Sequence, residues 1–239
     1  MKEKPELFLH EEVTLLALSD DEGRIETGSW YSQVVAGAVL AELMRRKHVR
    51  IQSVTEAKST GSLFDRKPKL VVIDPQPIGD SLADEWLKEI SASPKLRPVD
   101  HWLVKIAGTK ELKARVAERL VKLGILEQRE AKVLWVFNRV VYPEAKAAPE
   151  AEIRQRLEAA IFSDTAEVEV ATVILLSLVN GGAFLPHLFD RKALKSRRMH
   201  IETVIAGEKL GAATAALIES IQVMIVALMV ASTVTVTSS

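Results

Sequence analysis

Two stretches decide how this chain folds: residues 30–54, WYSQVVAGAVLAELMRRKHVRIQSV, and residues 69–90, KLVVIDPQPIGDSLADEWLKEI. Val35, Val39 and Leu43, with Leu40 and Met44 on the adjoining row, recur at helical spacing and predict an amphipathic helix over 34–47. Arg45, Arg46, Lys47 and His48 crowd its C-terminal end, where cations suit the helix dipole. A first strand is predicted over 49–54 and a second over 70–73, joined by a long polar loop over 55–69. The turn Pro77-Ile78-Gly79-Asp80 then opens a short helix over 81–90, with Leu82, Trp86, Leu87 and Ile90 on its buried side. Asp80 or Ser81 caps it, and Asp84, three residues past Ser81, completes a capping box.

Helix followed by hairpin recurs further on. A helix is predicted over 109–123, with Leu112, Val116, Leu120 and Leu123 on one stripe and Gly124 as its terminator. Strands are expected at 125–126, 133–137 and 140–142. Ahead of both units, Leu7, Phe8, Val13, Leu15, Leu16 and Leu18 make a strongly apolar first helix that ends at Asp20-Asp21-Glu22-Gly23. Beyond the proline-bounded stretch 143–149, helices are expected over 150–162, 165–179, 183–188, 191–206 and 209–231, with a break at Gly181-Gly182. The fold class is therefore mainly α (α+β). A helical bundle core carries two peripheral β-hairpins in winged-helix-like helix-hairpin units. One domain over 5–237 is expected, with the helix-hairpin units in 5–142 and the helical bundle half in 150–237.

The chain has 239 residues, enough to bury a core, and 32 basic against 32 acidic side chains. A nucleic-acid binder usually carries a basic excess, so no nucleic acid is expected as a partner. Without cysteine there is no disulfide, thiol catalysis or cysteine-ligated zinc. The five histidines lack partners at ligand spacing, so no metal, no cofactor and no enzymatic activity are expected. Glu11-Glu12 and Asp84-Glu85 are adjacent carboxylates that point about 100° apart on a helix, so neither pair builds one site. The first residues lack a secretory signal pattern, which makes the cytoplasm the expected compartment. From Ser220 to Ser239 there is no charge, yet the dense apolar run 221–231 falls short of the about 20 residues a spanning helix needs. A core helix is expected there, followed by a short extended tail.

At about 100° per residue, Lys110 and Lys113 share one flank of the 109–123 helix, with only Ala114 and Ala117 beside them. That arrangement makes a cationic shelf near a helix N-terminus, suited to an anion. Arg115, Arg119 and Lys122 form a separate stripe on the other flank.

Gly37, Glu42-Leu43, the Pro77/Gly79-Asp80 turn and Leu120-Val121-Lys122-Leu123-Gly124-Ile125-Leu126 stand in the order and spacing of the Golgi-phosphoprotein-3-like family. The chain resembles that family from about Leu7 to the C-terminal helix, and its short N-terminus resembles the bacterial-type members. Eukaryotic members are peripheral-membrane adaptors that bind phosphatidylinositol 4-phosphate. The resemblance implies a head group held by a tryptophan and an arginine near the second helix, and by two arginines three residues apart ahead of the Leu120–Leu126 motif. The matching positions here are Trp30, Ala36, Lys110 and Lys113. Lysine keeps the charge but lacks the bidentate fork of arginine, and Ala36 offers no donor. Trp135 and Phe137, alternating with Val136 and so facing one side, fall in the hairpin that the family uses for oligomer contacts and membrane insertion. The resemblance thus implies a non-enzymatic lipid-binding protein on the cytoplasmic face of a membrane. Its expected partners are an anionic phospholipid or phosphoinositide head group and a homo-oligomer formed through the second hairpin. The alternative that the hairpins leave open is a winged-helix-like module that binds protein or nucleic acid.

Overall fold

The computed structural model describes residues 5–18, 30–52, 67–133, 137–165, 167–207, 210 and 212–236. Among them are eleven helices and two two-stranded antiparallel sheets, the mainly helical architecture expected.

Helix α1, Leu9–Ala17, is buried over its whole length, including His10, Glu11, Glu12 and Thr14. Glu11 turns back to accept the Phe8 amide at 2.9 Å, which ties off the helix start. Helix α2, Tyr31–Arg45, lies against α1 and begins three residues before the predicted start. Its side chains from Val34 to Leu43 are buried on every side, so the expected single apolar face is a helix wrapped by neighbours. The chain then reverses through Lys47, whose φ of 63° places it in the left-handed region.

Strands β1, Val49–Ile51, and β2, Leu70–Val72, pair antiparallel with Val49 opposite Val72. Both are shorter than predicted, and of their six residues Val49 and Leu70 are the buried ones. Most of the polar loop between them lies outside the described residues. In helix α3, Ser81–Ser91, Asp80 is the cap and accepts the Ala83 amide at 2.8 Å. Asp84 does not form a capping box with Ser81. It reaches back to the Ile78 amide at 2.6 Å and the Gly79 amide at 3.2 Å, bracing a turn that needs a glycine at φ 86°.

The predicted 109–123 helix forms as one element but starts later, and a further helix stands ahead of it. Helix α4, Val99–Ala107, precedes it, and helix α5, Leu112–Lys122, begins only after Glu111 takes a left-handed φ of 55°. The missed α4 shows a legible stripe of buried Val99, Trp102, Leu103 and Ile106 directly after Pro98. In the second hairpin, β3, Arg129–Val133, pairs with β4, Phe137–Val141, and Val133 stands opposite Phe137. The stretch predicted as one strand over 133–137 therefore spans the reversal. Trp135 lies outside the described residues, so the shared face expected for Trp135 and Phe137 has no support in the ladder.

Helices α6, Ala148–Phe162, and α7, Val170–Gly181, complete the packing around α1, together with α5. Short α8, Leu185–Leu188, leads to α9, Arg191–Ser196, and α10, Arg198–Ala206. These last two were predicted as one helix; the break falls at Arg197, whose guanidinium donates to the Ile161 carbonyl and the Asp164 carboxylate. The 165–179 prediction holds only from Val170 onward. Helix α11, Ala212–Val236, packs on α2, α7, α4 and α10 and stays helical through residues expected to be an extended tail. Gly181 and Gly182 do more than end α7. A Cβ on Gly182 would meet Val34 Cγ2 at 2.3 Å, and one on Gly181 would meet Ile225 Cγ2 at 2.8 Å, so these glycines let α7 close on α2 and α11.

Ile218, Ile221, Met224 and Ile225 of α11 are buried in the same apolar cluster as α1 and α2. A chain ending at Glu219 loses three of these anchors, each contributing about 1.5–3 kcal/mol. It is expected to aggregate or show no cooperative unfolding; a soluble, cooperatively melting product in the absence of detergent overturns the core role of α11.

Candidate functional site

Fully buried Glu42, near the end of α2, gathers the first charge cluster. Its Oε1 accepts Arg45 Nη2 at 2.7 Å and Arg46 Nε at 2.5 Å, while Oε2 accepts the Leu9 amide at 3.2 Å. Neighbouring carboxylates on α1 diverge, as their spacing requires: Glu11 pairs with Arg119 of α5 and Glu12 with Arg156 of α6. Phe8 lies between two guanidiniums, Arg46 at 5.0 Å and Arg119 at 4.7 Å from its ring centre. Buried His10 and Asp80 pair at 3.3 Å.

Three members of the basic series on α5 thus have carboxylate partners, because Arg115 also bonds Glu85 and Lys122 bonds Glu118. Their predicted stripe serves to anchor and solvate the helix. Lys110 is exposed in the turn before α5, outside the helix, so the shared helical flank with Lys113 does not form as predicted. The two lysines instead bracket the left-handed Glu111 at the start of α5. Lys113 is half-buried, with Nζ 5.6 Å from the Tyr142 ring centre. Trp30 immediately precedes α2, half-exposed and packed against the core. Ala36 has no exposed surface; it supplies packing and no donor.

The match to the family model for Golgi phosphoprotein 3 (GPP34) runs over residues 9–221. The chain belongs to the Golgi phosphoprotein 3 family. It is similar to the vacuolar protein sorting-associated protein 74 of Schizosaccharomyces pombe, 29% identical over 182 residues, and to that of Eremothecium gossypii, 28% identical over 179 residues. Each alignment covers 70% of this chain and 52% of the relative, so the chain spans about half the length of the curated relatives it matches. Both relatives are fungal, and neither supports a bacterial-type assignment. Among the described residues no helix is long and apolar enough to cross a membrane.

Within this Golgi phosphoprotein 3 domain the buried charges respond to pH in opposite senses. For Asp80 burial opposes ionisation, but the His10 hydrogen bond and charge, the Ala83 amide and Arg119 together outweigh it and hold the carboxyl below its usual range. For Glu12 burial wins over Arg156, and its carboxyl is pushed up. Asp80 therefore adds stability that is complete above its ordinary pKa of about 4 and is lost as pH falls through the depressed value. Protonation of Glu12 works the other way, favouring the fold as pH falls through its raised value.

Two outcomes follow for this network. Removing Glu42 as Glu42→Ala leaves Arg45 and Arg46 to Glu6 and water and takes the acceptor from the Leu9 amide, and urea unfolding is expected to register a loss of about 1–3 kcal/mol. A loss within experimental error of zero would show that water already solvates the cluster. As pH falls below the ordinary aspartate value of about 4, the thermal midpoint of Asp80→Asn is expected to fall less steeply than that of the native chain. Parallel slopes would remove Asp80 as a source of the acid sensitivity.

Proposed function

We propose that this chain is a non-enzymatic peripheral membrane protein that binds an anionic phospholipid head group on the cytoplasmic face of a membrane. Lys110 and Lys113 supply the charge and Trp30 an aromatic wall, in a single domain over 5–237. The observation that carries this reading is positional. Within the family match, the two lysines stand just ahead of the Leu120–Leu126 motif, where the resemblance expects the head-group arginines. The exposed ammonium of Lys110 and the open amides at the start of α5 offer donors to a phosphate. Phosphatidylinositol 4-phosphate is the preferred head group. With alanine at 36 and lysine in both arginine positions, the chain binds it through point charges more than through a shaped fork. The second hairpin, β3 and β4, serves self-association or membrane contact.

Co-sedimentation with vesicles containing phosphatidylinositol 4-phosphate tests the assignment. Each lysine near an anionic surface contributes about 1 kcal/mol, so Lys110→Glu with Lys113→Glu is expected to abolish binding. The midpoint of thermal unfolding should drop slightly, since Lys113 gives up a cation–π contact worth about 0.5–1 kcal/mol. Undiminished binding by the double variant removes this site. Duplex DNA binding without vesicle binding would favour a winged-helix-like interaction module.

A further inference from the structure

Large aliphatic side chains at the surface are few among the described residues, and two of them flank one basic strip. Leu96, 47% exposed, sits in the loop before α4, and Val104, 61% exposed, stands on the outward face of α4 between His101 and Lys105. Neighbouring α11 adds Val223 and Val226, both exposed. Lys95, Arg97, His101 and Lys105 are all exposed around Leu96 and Val104. Asp100, the one acid in the sequence from Lys95 to Lys105, is tied to Lys67 at 2.5 Å. The lysine at 105 is held in place: its Nζ lies 5.5 Å from the Trp102 ring centre and 5.9 Å from that of Trp86. His101 meets the Trp102 ring edge-on at 5.2 Å. Burial, with the charges of Arg97 and Lys105, holds the His101 imidazole below its ordinary value.

We propose that the outward face of α4 with its leading loop, built on Leu96, Arg97, His101, Val104 and Lys105, is a second lipid-contacting surface that seats on an anionic bilayer. Two exposed aliphatics ringed by cations match a medium that is negative at its surface and apolar just beneath, the complement of this strip in both respects. The surface is also continuous with the head-group region. Helix α4 ends at Ala107, and Lys110 lies in the turn that follows, so a bilayer reached by Lys110 meets the end of α4 next. Val104 enters the head-group layer while Arg97 and Lys105 meet lipid phosphates. This inference rests on the lipid-binding reading above and adds to it a contact that needs no particular head group.

The chain contains no cysteine, so Val104→Cys accepts a single environment-sensitive fluorophore such as a nitrobenzoxadiazole. Met199→Cys on α10, 73% exposed, serves as the labelled control. Both are mixed with phosphatidylcholine vesicles containing phosphatidylserine or phosphatidylinositol 4-phosphate, with and without nitroxide-labelled lipid. The expected result is a blue-shifted, nitroxide-quenched emission at position 104 and neither change at 199. Arg97→Gln with Lys105→Gln should weaken binding to phosphatidylserine vesicles about thirtyfold, from two surface charges removed. Vesicle binding with the label at 104 still in water overturns the surface and leaves the head-group site standing. Absence of binding to either vesicle overturns both.

Discussion

A carboxylate with no access to water sets the arrangement of the N-terminal half. Glu42 sits near the end of α2 without exposed surface, and its charge is acceptable because Arg45, Arg46 and the Leu9 amide close around it. That requirement fixes where α1 begins against α2. Glu6 repeats the contact from outside, accepting from Arg45 at 3.1 Å and lying 3.2 Å from Arg46. Once α1 is placed, Glu11 and Glu12 each need a cation, and the cations come from α5 and α6. A single buried helix is thereby linked by charge to three others.

Apolar packing completes what the ion pairs begin. The glycines at the end of α7 bring its backbone against Val34 and Ile225, and α11 fills the space beside α2 and α7. Burial of this kind has no direction of its own, whereas a buried ion pair tolerates one geometry. The hydrophobic surface provides most of the driving force, and the charge network selects among ways of packing it.

The surface chemistry divides along the same line. Arginines near α1 are taken up by carboxylates of the fold, as Arg119 is by Glu11 and Arg156 by Glu12, whereas Lys110 and the cations along α4 stand at the surface. A chain with zero net charge can still present local positive ground, because several of its acids, Glu11, Glu12, Glu42 and Asp80 among them, are buried. Exposed Leu96 and Val104 stand among the cations of α4 and its leading loop.

Local periodicity was enough to read α2, α3, α6, the first hairpin, the presence of a second and the apolar character of α11, because each carries its own spacing of buried residues or its own turn. Composition and motif order were enough to reach the family. The helix α4 was equally legible in Val99, Trp102, Leu103 and Ile106 but went unread. What no window of sequence contains is the backbone turn at Glu111, which takes Lys110 out of the helix, and the reversal between Val133 and Phe137. The partner of each buried charge is likewise invisible locally: Glu11 and Arg119 are 108 residues apart, and Glu12 and Arg156 are 144 apart. The sequence by itself determined which segments are helical and which side chains seek burial, since those depend on near neighbours. Only the tertiary structure decided which cations are spent on internal carboxylates and which remain at the surface, because that depends on groups brought together across the whole chain.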